Sequence, residues 1–179
     1  MSRFDTSLLG RALDWAKNGP PAPVAAVAGP QLDPIAIAAA LCRRFEGLRL
    51  RPYLCPAGIP SIGYGSTIYE DGRRVRLSDA PITAARAEAL LQWHMRCVVL
   101  PAVARLCHGL TGAGLAGALM DFTFNLGAGR LAGSTLRRRV NAGDWAAVPT
   151  ELRKWVRGGG RVLAGLVARR EAEIAVVPC

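Results

Sequence analysis

The chain has 179 residues, 51% hydrophobic and 20% charged, which suits one domain with a buried core and excludes a wholly disordered chain. No apolar stretch reaches the roughly 18 residues of a membrane-spanning helix, so a multi-pass membrane protein is excluded as well. Lys+Arg is 23 against Asp+Glu 13, a net charge of +10, with Lys17 and Lys154 the only lysines. That excess fits nucleic acid, anionic lipid or acidic cell-wall polymer, or a base composition that simply encodes arginine freely.

Phe4, Leu8, Ala12 and Trp15 recur at helical spacing, so residues 1–18 predict a short helix. The segment from Gly19 to Pro34 has five prolines in sixteen residues and reads as a linker. A boundary near Leu32 gives an arm over 1–32 and a folded domain over 33–179. The arm reads as a docked or disordered segment, since one short amphipathic helix is weak ground for membrane contact. It lacks the basic, apolar, small-residue order of a signal peptide.

The domain opens on a helix. Asp33 can cap it, Pro34 suits its first position, the run to Glu46 is apolar on one face, and Gly47 is a natural stop. The next stretch, rich in Gly, Pro, Tyr and Ile, predicts short strands and turns. Asp71-Gly72, between Thr67-Ile68-Tyr69 and Arg73-Arg74-Val75, predicts a two-residue hairpin loop. From Thr83 the pattern is helical to the end, with helices over about 84–99, 101–108, 112–126, 135–142, 145–156 and 162–176, punctuated by Gly109, Gly127, Gly143 and Gly158-Gly159-Gly160. The fold class is therefore α+β, a small β-sheet lobe beside a larger helical lobe, with a ligand cleft expected between them.

The five cysteines (Cys42, Cys55, Cys97, Cys107 and Cys179) contain no CxxC pair. With only His94 and His108 as further soft ligands, no metal site is expected. The odd count fits free thiols in a reducing compartment.

Glu46 ends the first helix of the domain. By position alone it reads as a surface glutamate. The helix C-terminus and burial in a cleft would both disfavour its charge, and a carboxyl kept protonated near neutrality is what a general acid needs. Eight residues after Glu46 comes Cys55, and five after that Ser61, within FEGLRLRPYLCPAGIPSIGYGST. In a strand, Ser61, Gly63 and Gly65 would share one side, leaving room for a ligand, unless the glycines serve a tight turn.

That segment resembles the active-site segment of phage-type lysozymes, glycoside hydrolase family 24, in which a Glu is followed at these spacings by an Asp or Cys and then a Thr. ITAARAEALLQWH, MDFTFNLGAGRLAGSTLRRRVNAGDW and WVRGGGRVLAGLVARREAE look like later segments of the same family. The resemblance covers about residues 35 to 176. It implies a lysozyme-like fold and hydrolysis, with inversion, of the β-1,4 bond between N-acetylmuramic acid and N-acetylglucosamine. Glu46 would be the acid. Cys55 stands where the family has its second carboxylate, and Ser61 where a Thr helps hold the attacking water. A thiol near pKa 8.5 is mostly protonated at neutrality and a weak base; Arg49 and Arg51 would favour the thiolate if they approach. Ser61 keeps the hydroxyl of the Thr and loses its methyl.

Thr67, Phe124, Asn125, Ser134 and Thr135 fall where the family has substrate contacts. Phe124 reads equally as core and Ser134 more readily as a helix cap. Trp93, Trp145 and Trp155 read as core. Arg137-Arg138-Arg139 reads as a solvated face, or as steering toward anionic wall polymers. From membrane-tethered relatives the resemblance also offers a disulfide exchange at the active-site cysteine. Cys42 would be the partner, but the segment from Pro20 to Asp33 is too short and proline-broken for a tether.

The resulting expectation is an endolysin that acts as a monomer on peptidoglycan glycan strands, without cofactor, metal or nucleic acid. It would wait in the bacterial host cytoplasm and reach the periplasmic wall after a separate protein permeabilises the membrane. A lytic transglycosylase and a catalytically silent wall-binding protein are the alternatives.

Overall fold

The computed structural model describes residues 33–55 and 58–177. Expectations for residues 1–32 lie outside the described residues.

Helix α1 spans Pro34–Glu46. The Asp33 side chain accepts from the Ile35 N–H at 2.9 Å, Pro34 sits in the first turn, and Gly47 at φ 69° ends the helix in a conformation that costs other residues energy. Strands β1 (Arg49–Leu54) and β2 (Pro60–Gly63) pair antiparallel, with Tyr53 opposite Ser61 and Leu54 opposite Pro60. A bulge between Arg49 and Tyr53 shifts the register. Strand β2 stops at Gly63, so Gly65 is not on its face. Gly63 (φ 66°) and Gly65 (φ 93°) instead turn the chain back, and Ile62 and Ser66 exchange backbone bonds of 2.9 Å across the turn. A Cβ at Gly63 would stand 3.3 Å from the Ala87 side chain, so this glycine packs against the next helix and opens no space.

The expected hairpin at Asp71-Gly72 forms as an isolated bridge between Ile68 and Arg74 with a longer loop. The Gly72 N–H bonds to the Tyr69 carbonyl and the Tyr69 N–H to the Arg73 carbonyl, so three residues, not two, make the loop, with Gly72 at φ 83°.

Helix α2 is Ala84–His94, capped by the Thr83 side chain. It widens into a π-helical turn over Met95–Val99 before α3 (Leu100–Leu106). Pro101 has no N–H for the carbonyl of Cys97, and the Leu100 N–H reaches back five residues to Met95. Then follow α4 (Ala113–Leu126), α5 (Ala128–Gly133), α6 (Thr135–Asn141), a 3-10 turn (Trp145–Ala147), α7 (Val148–Arg153), strands β3 (Arg157–Gly158) and β4 (Arg161–Val162), and α8 (Ala164–Ala175). Two of these elements depart from the sequence reading. Short helix α5 lies where no helix was expected, and the triple glycine, read as a break between two helices, turns a two-residue antiparallel hairpin.

Ten of the fourteen residues of α4 are buried, which makes it the axis of the helical lobe. It crosses α1 at Gly117, where a Cβ would come within 2.6 Å of Ile37 Cγ2. The large core gathers Ile35, Leu91, Met95, Leu119, Phe122 and Leu136, while Ile62, Tyr69, Val75 and Leu90 make a smaller one under the β-lobe. Leu90 and Leu91 lie in different cores, so α2 ties the two lobes together.

Candidate active site

Glu46 stands where α1 hands over to the β-lobe, with a quarter of its side chain exposed. Its Oε1 accepts from Arg169 Nη1 of α8 at 2.5 Å. The other edge of the same guanidinium holds Asp121 of α4 through two bonds, Nε to Oδ2 at 2.7 Å and Nη2 to Oδ1 at 2.8 Å. Asp121 is fully buried and Arg169 nearly so. One turn before Glu46, the Cys42 thiol donates to Asp121 Oδ1 at 3.1 Å and lies 3.7 Å from Arg169 Nη2. Burial, with Asp121 beside it, pushes that thiol far above its ordinary range, so it stays protonated. Cys42 is thus spent inside the junction of α1, α4 and α8, bonded to Asp121 rather than to another cysteine.

Arg169 is a partner of Glu46 that the sequence reading did not contain; it had only the helix C-terminus and burial in a cleft.

Across from Glu46 lies Tyr53 of β1. Burial and the nearby Glu46 push its phenol up, and the Arg49 guanidinium stacks 4.6 Å from its ring centroid. Arg49 is therefore placed on Tyr53. Between Glu46 and Tyr53 sits Gly65: a Cβ there would be 3.8 Å from Glu46 Oε2 and 4.0 Å from the Tyr53 hydroxyl. Gly65 thus lies beside Oε2 with no side chain between it and the Tyr53 hydroxyl.

Tyr53 also feels Cys55, at the end of β1. The Cys55 N–H and the Ser61 hydroxyl share one acceptor, the Ile59 carbonyl, at 3.0 and 3.1 Å. Cys55 is half-buried; Ser61 is 1% exposed. The hairpin thus brings Cys55 and Ser61 together, and Tyr53 links that pair to Glu46.

The remaining expected residues are more scattered. Thr67 is half-buried and its carbonyl accepts from the Val75 N–H at 3.0 Å. Phe124 packs edge-on to His94, centroids 5.4 Å apart. The Asn125 side-chain oxygen accepts from Arg170 Nη2 at 3.2 Å. Ser134 caps α6, accepting from the Arg137 N–H, and donates to the Leu131 carbonyl. The Thr135 hydroxyl donates to Glu151 Oε2. The hydroxyls of Ser134 and Thr135 are both engaged within the protein. Trp155 packs edge-on to Phe122 in the large core, Trp93 packs on the small core, and Trp145 is 36% exposed.

Sequence reasoning missed Arg169 and Asp121 and gave Tyr53 no role; it singled out Gly65, but on a strand face and not in the turn where it stands. Asp121 did leave a signal: it is an acid in the most apolar helix, and such a residue must have a partner.

A small antiparallel β-lobe joined to a helical lobe, with an acidic side chain at the end of the first helix, defines a lysozyme-like hydrolase. A family model described as phage lysozyme matches residues 43–173. The chain is 34% identical over 140 residues to an endolysin of Acyrthosiphon pisum secondary endosymbiont phage 1, covering 76% of this chain and 91% of that protein. Among solved structures, it resembles the endolysin from Escherichia coli O157:H7 phage FAHEc1, with TM-score 0.69 and 30% identity over 79% of this chain and 90% of that one. It also resembles the muramidase domain of SpmX from Asticaccaulis excentricus, with TM-score 0.67 and 31% identity over 79% of this chain and 95% of that one. The chain belongs to the phage lysozyme family.

Proposed function

We propose that the chain is a peptidoglycan-degrading endolysin of glycoside hydrolase family 24, a muramidase that cleaves the β-1,4 bond between N-acetylmuramic acid and N-acetylglucosamine. The observation that carries this reading is the pose of Glu46. One oxygen is pinned by Arg169, and the other lies beside Gly65, near the Tyr53 hydroxyl. Oε2 is the oxygen to pass a proton to the glycosidic oxygen.

The Cys55 backbone N–H and the buried Ser61 hydroxyl share the Ile59 carbonyl, so the attacking water would lie on the half-buried Cys55 side, with Ser61 holding the hairpin behind it. Approach from the face opposite the leaving group gives inversion. A thiol is a weak base, so orientation of that water by the hairpin matters more than proton removal. The glycan would meet Thr67, Phe124 and Asn125, while Ser134 and Thr135 shape the wall through α5 and α6. No cofactor enters this scheme, and among the described residues no group of His, Cys, Asp and Glu is arranged to hold a metal ion.

In this reading the enzyme acts as a monomer and reaches the wall once a separate protein has opened the membrane. Among the described residues no helix is long and apolar enough to cross a membrane. Glu46→Gln keeps the shape and removes the transferable proton. It is expected to slow turbidity loss of permeabilised Gram-negative cells by about a hundredfold or more. Clearing at the wild-type rate would contradict the assignment.

A further inference from the structure

A guanidinium against a carboxylate favours the charged form, yet an acid must hold a proton before it can give one. The junction behind Glu46 answers this conflict. Arg169 faces two carboxylates, and it divides itself unequally between them: two bonds to fully buried Asp121, one to partly exposed Glu46. We propose that Asp121 is a positioning residue that neutralises Arg169, so that the guanidinium orients Glu46 without fixing it as a carboxylate. The proposal rests on Glu46 being the acid.

The other groups around Glu46 fit this division. Cys42, on α1, donates its thiol to Asp121 Oδ1, on the side away from Glu46's own bond to Arg169 Nη1. Tyr53, on β1, is held neutral, and Arg49 faces the Tyr53 ring. Behind Asp121, Glu173 is bonded to Arg170 at 2.5 Å, both side chains fully buried. Burial, with Asp121 adding to it, pushes the Glu173 carboxyl up. Glu173 and Arg170 thus pair with each other, and Arg169 is left to Asp121 and Glu46. Replacing Asp121 with a neutral side chain leaves Arg169 to Glu46 alone.

The test is the pH–activity profile on purified peptidoglycan for the wild type, Asp121→Asn, and the double variant Asp121→Asn/Arg169→Gln. Asp121→Asn is expected to move the alkaline limb to lower pH by about one unit, a tenfold change in proton affinity. Activity on the acid side should be kept and KM little changed. The double variant removes the guanidinium as well, and its limb should return to the wild-type position or above. A merely structural role for Asp121 would lower activity at every pH and leave the limb in place. A folded Asp121→Asn with the wild-type limb overturns the proposal. If that variant does not fold, the charge-balanced double variant decides, and a limb below the wild-type position overturns it. Glu46→Gln, assayed beside them, separates the two claims: an active Glu46→Gln overturns the reading of the acid itself, while an inactive one with an unmoved Asp121→Asn limb overturns only the role of Asp121.

Discussion

Arg86 on α2 and Arg169 on α8 both grip carboxylates through more than one hydrogen bond, in opposite surroundings. Arg86 holds Glu70 with two bonds of 2.6 Å on the surface of the β-lobe, where its own side chain is 44% exposed. Nearby, Arg73 holds Asp79, which also accepts from the Tyr69 hydroxyl and the Arg76 N–H. Arg169 holds Glu46 and Asp121 with only 4% of its side chain exposed. In water such a pair stabilises little, because hydration competes and salt screens it. Inside the junction neither Arg169 nor Asp121 can recover water if the other is lost. The same chemistry therefore fastens a loop in one lobe and fixes a reactive group in the other.

Deleting one member of each cluster breaks the comparison most directly. Arg169→Met leaves Asp121 buried with the Cys42 thiol but no guanidinium, and is expected to cost about 3–5 kcal/mol in denaturant unfolding. Gly117→Ala tests the packing that holds α1, and with it Glu46, against α4. Its new methyl meets Ile37, and a loss of about 1–3 kcal/mol is expected by the same measurement. Arg86→Ala should change stability by less than about 1 kcal/mol, and raised salt should shrink the difference further. A surface variant as costly as Arg169→Met would erase the distinction between the lobes.

The smallest effect concerns His94, the last residue of α2. Its ring lies between Trp93 and Phe124, and its Nδ1 is buried without a hydrogen bond. Burial pushes the imidazole below its ordinary range. As pH falls, the unfolded chain takes up this proton first, so stability present above the ordinary histidine range is lost on acidification. Relative to His94→Gln, the wild type should lose Tm between about pH 8 and about pH 5. Equal changes in both would place the destabilisation elsewhere.

Local chemistry was legible in the sequence. Asp33, Pro34 and Gly47 bracket α1 because caps act over one turn, and the spacing from Glu46 through Cys55 to Ser61 folds into a hairpin that carries the last two on one carbonyl. Thr83 and Ser134 announce their helices in the same way. What could not be read is whatever depends on distant partners. Arg169 lies 123 residues from Glu46 and 48 from Asp121, and no periodicity links them. The glycine triplet turned a hairpin rather than only ending a helix, because two-residue strands leave no alternating pattern. Gly65 looked like part of a strand face, but its positive φ places it in a turn that comes up against Glu46.

The central claim is that Glu46 donates the proton that cleaves the glycan and that water completes the reaction. Mass spectrometry of purified peptidoglycan digested by the wild type and by Glu46→Gln tests it most directly. Wild-type products should each carry the mass of one added water at a new reducing end, and the variant should yield none. Anhydro-sugar ends from the wild type, or undiminished release by the variant, would contradict it.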